Sequence, residues 1–95
     1  MKEHSPAGVI REIVADSNHN QIWWAGRLKY SHKHFNQVHS GRKRVSVEFA
    51  VRFEKVTGMS ARGLLRLQAD EDLRVYLIKR SEAERDARLA KHGVH

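Results

Sequence analysis

The stretch from residue 20 to residue 44 restricts the fold more than any other part of the chain, because it predicts two short helices joined by a tight turn. Asn20 and Ser31 each carry a short side-chain acceptor that can satisfy the free backbone amides of a first helical turn. We therefore expect one helix to begin at Asn20 and run through Leu28, and a second to run from Ser31 to Ser40. The glycine after Ser40 supplies the left-handed residue that often closes a helix.

Each of these two helices carries one apolar stripe and one polar face. Trp24 and Leu28 in the first helix, and Phe35 and Val38 in the second, recur at the spacing of a buried helix face. The opposite face of the second helix consists of four side chains with hydrogen-bonding groups: His32, Lys33, Asn36 and Gln37. Such side chains can contact base edges and phosphates in a major groove, so the pattern predicts a DNA-reading helix-turn-helix.

The positive charge of the chain is concentrated on this region. The formal net charge is +7, and residues 27–66 hold ten lysines and arginines against two glutamates. The remainder of the chain holds eight basic and nine acidic residues. Basic side chains beside a DNA-reading helix neutralise phosphates and release counterions, which supplies most of the affinity for any duplex. Arg42, Lys43 and Arg44 follow the second helix in a loop, and we expect their side chains and the loop amides to lie along a phosphate strand.

Three further helices are expected around this pair. A hydroxyl side chain marks the start of each of them: Ser5, Ser46 and Ser60. Pro6 suits the first helical position because it lacks the amide that would go unsatisfied there. The first helix then runs to about Asp16, and Gly58 ends the helix that Ser46 begins. The chain is therefore predicted to be all-α.

The last predicted helix carries more apolar side chains than a five-helix core needs. Leu73, Tyr76, Leu77 and Ile78 lie within six residues of one another. The segment after Arg80 is charged and favours helix. We expect the apolar group to bind a second copy of the chain or a partner protein, and a solvated helical extension is the alternative.

Composition excludes several classes of protein. A chain of 95 residues forms one domain with a core too small for a deep catalytic cleft. It has no cysteine, so disulfides and zinc-thiolate sites are ruled out. No apolar run approaches the roughly 20 residues that span a bilayer, and the N-terminus lacks the apolar core of a signal peptide. We expect a soluble, cytoplasmic protein with no membrane partner.

The seven histidines do not predict a metal site, and nothing predicts an enzyme. His32 and His34 lie two residues apart on a helix, and His39 lies five beyond, so the three side chains diverge. A nuclease needs an acid, a base and a cation that converge in one pocket. The carboxylates lie mainly outside the basic region. We therefore expect no catalytic residue, metal or cofactor.

Short motifs along the chain carry a resemblance to a known family. They are Ser5-Pro6-Ala7-Gly8-Val9-Ile10-Arg11-Glu12, Asn20-Gln21, Gly41-Arg42-Lys43-Arg44-Val45-Ser46, Gly58-Met59-Ser60, and Leu67-Gln68-Ala69 followed by Asp72-Leu73. Together they resemble the HigA (VapI-like) antitoxins, which belong to the lambda-repressor-like, or XRE, helix-turn-helix proteins. The resemblance implies a five-helix lambda-repressor-like DNA-binding domain over residues 5–73 and a C-terminal helical extension over residues 74–95.

The resemblance also implies a function. Such a protein is a homodimer that binds a palindromic operator in double-stranded DNA, represses its own operon and is nucleoid-associated. It neutralises a RelE-like ribonuclease toxin by direct contact. By position, Gln21 touches a phosphate and braces the second helix of the motif. His32, Lys33 and Gln37 face bases beside Asn36, and the phosphate contacts are Ser31, Arg42 and Lys43, with Arg44 next to them.

Two other interpretations and one departure from the family remain. A stand-alone phage or prophage repressor would have the same helix-turn-helix. A protein-interaction module with a degenerate helix-turn-helix is a different class, and it would bind DNA weakly and without preference.

Lys29 stands at a turn position where the family has glycine with positive φ, which costs a lysine about 1 kcal/mol. Trp24 is expected in the core, and Trp23 is expected either as an exposed contact residue or in a partly buried packing role.

Overall fold

The computed structural model describes residues 5–91, which form five α-helices. They are α1 (Pro6–Asp16), α2 (Gln21–Leu28), α3 (His32–His39), α4 (Val47–Thr57) and α5 (Ala61–Lys91). The described residues contain no strand, so the predicted all-α architecture is confirmed. The predicted extension over 74–95 is helical to Lys91, and its last four residues lie outside the described part.

The helices begin where capping side chains were predicted. Each capping oxygen accepts the backbone amide three residues further on, at 2.9 to 3.1 Å. The caps are Ser5, Asn20, Ser31, Ser46 and Ser60. Replacing such a cap by alanine typically costs about 1 kcal/mol, so local sequence defines these helix starts firmly.

Aromatic rings from α2, α3 and α4 form the centre of the core. Phe49 of α4 lies 6.3 Å from Phe35 and 5.9 Å from Phe53, measured between ring centroids. Trp24 of α2 closes the group, 5.8 Å from Phe53, and is buried as predicted. Burying large aromatic side chains is the main favourable contribution to a core of this size. These contacts hold the backs of α2 and α3 against α4.

Helix α5 belongs to the core only at its beginning. Ala61, Leu64 and Gln68 are buried, whereas Leu73 and Tyr76 are 57% and 61% exposed. A helix of 31 residues is about 46 Å long, which explains the 57 Å long axis of the molecule. The second half of α5 therefore projects beyond the bundle.

The turn between α2 and α3 contains a strained residue. Lys29 has φ 64° and ψ 42°, the left-handed conformation that the comparison with glycine anticipated. Its backbone amide donates to the carbonyl of Gly26, and the amide of Tyr30 donates to the carbonyl of Ala25 at 2.9 Å. These bonds end α2 and redirect the chain into α3 within three residues.

We predict that Lys29→Gly stabilises the protein by about 0.5 to 1 kcal/mol, because glycine removes the left-handed strain and part of that gain is offset by its greater unfolded-state entropy. Gly58→Ala is the matched control of opposite sign, since Gly58 has φ 82° and open space around its Cα. Alanine there should destabilise by about 1 kcal/mol. Urea unfolding measures both changes in unfolding free energy. If Lys29→Gly were less stable than the parent protein, the left-handed conformation of Lys29 would not be strained.

Candidate nucleic-acid interface

Helix α3 exposes one polar face and buries the other. Ser31, His32 and Lys33 are exposed at its start, and Asn36 and Gln37 are half-buried one turn later. Phe35 and Val38 on the opposite side are 0% and 2% exposed. The N-terminal half of α3 therefore stands out from the surface, which is the geometry that a groove-inserted helix needs.

A side chain of α4 holds the turn in front of α3. Arg52 donates through Nη1 to the carbonyl oxygens of Leu28 at 3.0 Å and Lys29 at 3.2 Å, which are otherwise free at the end of α2. Glu48 accepts Arg52 Nη2 at 3.0 Å and fixes its direction. Sequence reasoning did not identify Arg52, because its targets lie 23 and 24 residues away along the chain.

Tyr30 links this turn to the exposed face of α3. Its ring stacks on His34 with centroids 4.4 Å apart, and the Arg52 guanidinium lies 4.6 Å from the ring centroid. Its hydroxyl donates to Glu48 Oε1 at 3.2 Å, and burial raises the pKa of Tyr30, so the hydroxyl keeps its proton. Lys43 Nζ lies 3.5 Å from His34 Nδ1, which brings the basic loop to the same face.

Helices α2 and α3 are braced by one amide pair. Asn36 Nδ2 donates to Gln21 Oε1 at 3.0 Å. Gln21 is the first residue of α2, and Asn36 lies on the polar face of α3. The bracing contact predicted for Gln21 is present, and Asn36 is the residue it holds. Asn36 is thus committed to a contact within the protein.

The loop after α3 presents side chains rather than backbone amides. The amides of Gly41, Arg42 and Lys43 donate back to the carbonyls of Val38 and Gln37, at 2.9 to 3.1 Å. The prediction that the loop amides lie along a phosphate strand is therefore wrong for these three residues. They complete the C-terminal hydrogen bonds of α3 around the left-handed Gly41. The side chains of Arg42 and Lys43 remain exposed.

Helix α5 anchors the other end of the basic loop. Gln68 is 5% exposed, and its Oε1 accepts the Val45 amide at 2.7 Å. Its Nε2 donates to Asp72 Oδ1 at 2.8 Å, and Asp72 Oδ2 pairs with the Arg44 guanidinium. Hydrogen bonds from Arg44 and Gln68 hold the pKa of Asp72 below its usual range. Arg44, predicted as a DNA contact, is thus already engaged by α5.

Helix α1 contacts the C-terminal end of α3. Arg11 Nη1 donates to the carbonyl oxygen of His39 at 2.9 Å, which satisfies a free acceptor at the end of α3. His39 also packs on Phe35, with ring centroids 5.6 Å apart. Trp24 Nε1 donates to Ser17 Oγ at 3.0 Å and joins α2 to the end of α1.

Trp23 and the histidines of α3 lie in different surroundings. Trp23 is 37% exposed, and its ring stacks on His19 with centroids 3.6 Å apart. His32, His34 and His39 point to different surroundings, and residues 5–91 contain no cluster of three ligands that could hold a metal. In the same residues, no helix has the length and hydropathy needed to cross a membrane.

The predicted partner surface on α5 is solvent-exposed. Leu73, Tyr76, Leu77 and Ile78 have between 47% and 61% of their surface exposed. Leu73 and Leu77 lie one turn apart on one side of the helix, and Tyr76 lies beside them. Ile78, two residues beyond Tyr76, lies on another side of the helix. We refer to these four residues as the α5 apolar cluster.

One solved structure is similar to the chain over nearly its whole length. It is a crystal structure from Nostoc punctiforme, of a protein described as a proposed antidote protein of a plasmid maintenance system. The two share 28% sequence identity with a TM-score of 0.83, over 92% of this chain and 96% of the other. No protein-family model and no curated protein matches the chain. The similarity confirms the fold and agrees with the resemblance to antitoxins.

We predict that stability falls as the pH is lowered from 7.5 to 5.5. Burial and the neighbouring Arg11 lower the pKa of His39, and burial followed by Lys43 lowers that of His34, below the ordinary value of 6.5. The unfolded chain then binds protons more readily, so this contribution is complete above pH 6.5 and is lost as the pH falls through the folded-state values.

Urea unfolding at each pH measures the effect, and His39→Gln should flatten the dependence. His32→Gln is the control, because His32 lies exposed at the start of α3. An unfolding free energy that stays constant in the parent protein over this range would contradict the prediction.

Proposed function

We propose that this chain is a sequence-specific DNA-binding regulator that represses its own operon as the antitoxin of a toxin–antitoxin pair. The observation that supports it best is the exposed polar face of α3, standing opposite a fully buried stripe and beside two exposed cations, Arg42 and Lys43. Contacts from α1, α2 and α4 hold α3 in one orientation. The activity is regulatory rather than enzymatic.

In this proposal α3 lies in the major groove. His32 and Lys33, in its first turn, contact base edges, and Gln37 reaches them from the second turn. Ser31, Arg42 and Lys43 hold phosphates on either side and set the register. The backbone carbonyl of Gln37 accepts the amides of Arg42 and Lys43. These bonds fix the position of the basic loop relative to Gln37.

Gln21 has a second role at the edge of the interface. Its Oε1 accepts Asn36, which leaves its own amide protons available for a phosphate oxygen. One residue then fixes both the duplex backbone and α3. Because Asn36 Nδ2 donates to Gln21, Asn36 is proposed to position α3 rather than to read a base.

The α5 apolar cluster is proposed to form a homodimer seam. Four large apolar side chains with about half their surface exposed are unusual on a monomer of this size. A two-fold dimer would place two copies of α3 about 34 Å apart, matching half-sites of a palindromic operator. Residues 5–73 then form the DNA-binding domain, and residues 74–95 form the partner-binding extension.

The toxin partner is proposed from similarity. The Nostoc punctiforme protein is described as a proposed antidote of a plasmid maintenance system, and the two chains align nearly end to end. An antidote of this kind acts on a toxin, and the family resemblance suggests a RelE-like ribonuclease. This similarity favours the antitoxin over a stand-alone phage repressor. The sequence motifs, rather than this similarity, suggest the HigA branch of the XRE proteins and a nucleoid-associated location.

We predict that the protein binds duplex DNA from its own promoter, with affinity falling about a hundredfold or more between 50 and 200 mM salt, because four or more phosphates are neutralised in a dimer. Gln37→Ala should lose about 1 to 3 kcal/mol on the operator and little on random duplex. Arg42→Ala should weaken binding to both duplexes alike and reduce the salt slope. Fluorescence anisotropy measures all three.

Gln37→Ala tests the DNA contact of the side chain alone, because the backbone carbonyl of residue 37 still accepts the loop amides. Equal losses on operator and random duplex would mean that a different face of α3 enters the groove. Weak binding with no preference for the promoter would favour the interaction module with a degenerate helix-turn-helix.

The dimer has its own test. Replacing Tyr76 and Leu77 together by glutamate should convert the dimer to a monomer and reduce operator affinity by about tenfold or more, because two linked half-sites become independent. Leu89→Glu is the control, since Leu89 is similarly exposed on α5 but lies outside the cluster. Analytical ultracentrifugation decides the oligomeric state. A dimer that survives the double substitution would place the seam elsewhere.

A further inference from the structure

The third basic side chain of the loop is held differently from the first two. Among residues 5–91, Arg42 and Lys43 form no ion pair, whereas Arg44 pairs with Asp72 of α5. We propose that Asp72 withholds Arg44 from DNA phosphates and so sets the strength of electrostatic DNA binding. This inference rests on the proposed DNA-binding function.

The carboxylate of Asp72 is fixed by a buried amide. Gln68 lies one helical turn before it and is bound on both sides, because its Oε1 accepts the Val45 amide at 2.7 Å and its Nε2 donates to Asp72 Oδ1 at 2.8 Å. The other oxygen, Oδ2, is left for Arg44. Main chain, amide, carboxylate and guanidinium therefore form a continuous chain of hydrogen bonds.

A contribution to folding stability does not account for the Arg44–Asp72 ion pair. The Arg44 and Asp72 side chains are 63% and 42% exposed, and ion pairs at such exposure contribute little to folding. The consequence is electrostatic. The Asp72 carboxylate neutralises Arg44, which is one of the three consecutive cations beside the proposed phosphate strand.

A phosphate that approaches Arg44 must share it with Asp72. Each cation that neutralises a phosphate steepens the dependence of log affinity on log salt by about 0.9. Phosphate contacts carry no sequence information, so withholding Arg44 lowers affinity for operator and random duplex alike. Asp72 is therefore a positioning residue that acts through Arg44.

Asp72→Asn tests the inference with little disturbance of the fold. Asparagine keeps an oxygen that can accept Gln68 Nε2, so the buried link to Val45 is retained. We expect affinity at 0.1 M salt to rise about tenfold or more on both duplexes, with the salt slope steeper by about 1.8 for a dimer that frees two arginines. Thermal unfolding checks that the variant is folded.

Two controls separate this effect from a change in net charge. Asp70→Asn makes the same charge change on the same helix, two residues away, where Asp70 is exposed and forms no ion pair within the described residues. It should raise affinity only slightly. Arg44→Gln by itself should weaken binding to both duplexes, because it leaves the Asp72 carboxylate unpaired beside the proposed phosphate strand. Combined with Asp72→Asn, it should abolish the gain that Asp72→Asn causes.

The possible outcomes are distinct. If the parent protein binds duplex with steep salt dependence but Asp72→Asn behaves like Asp70→Asn, the inference is wrong and the proposed function stands. Weaker binding by folded Asp72→Asn would mean that Asp72 presents Arg44 to the phosphate, which also overturns the inference. If no variant binds any duplex, the proposed function fails and the inference fails with it.

Discussion

Burial of one side of α3 is the constraint on which the rest of the structure depends. A helix of eight residues is not stable alone in water, so α3 exists because Phe35 and Val38 are packed against the bundle. Because Phe35 and Val38 take up the buried side of the helix, His32 and Lys33 face solvent. The core and the proposed DNA-reading face are therefore two sides of one helix.

Long-range hydrogen bonds convert this packing into a defined orientation. Arg52 satisfies the end of α2, Arg11 satisfies the end of α3, and Gln68 holds the exit of the basic loop. Each of these side chains bonds to backbone groups that a helix end or a loop leaves free, so each removes a desolvation penalty while fixing geometry. Bracing of this kind suits a surface that must match a rigid duplex.

Helix α5 connects the two proposed activities. Its first turns pack in the core, Gln68 and Asp72 contact the basic loop, and the apolar cluster begins at the next residue, Leu73. A partner seated on the cluster would therefore lie beside the Arg44–Asp72 pair. The proposed DNA and protein interfaces are neighbours on one element rather than separate regions.

The sequence by itself determined what depends on residues close together in the chain. Capping side chains at Asn20, Ser31 and Ser46 located the helix starts, and apolar spacing identified Trp24 and Phe35 as core, because these effects act within one or two helical turns. The tertiary structure alone decided the contacts of Arg52, Gln68 and Asp72. The partners that they reach outside their own helices lie 23 to 28 residues away, and no local pattern specifies such pairs. The bonds from the loop amides to α3 are local, since they span three to six residues and follow from the left-handed Gly41, whereas pairs such as Arg44 and Asp72 exist only because the fold brings α5 to the loop.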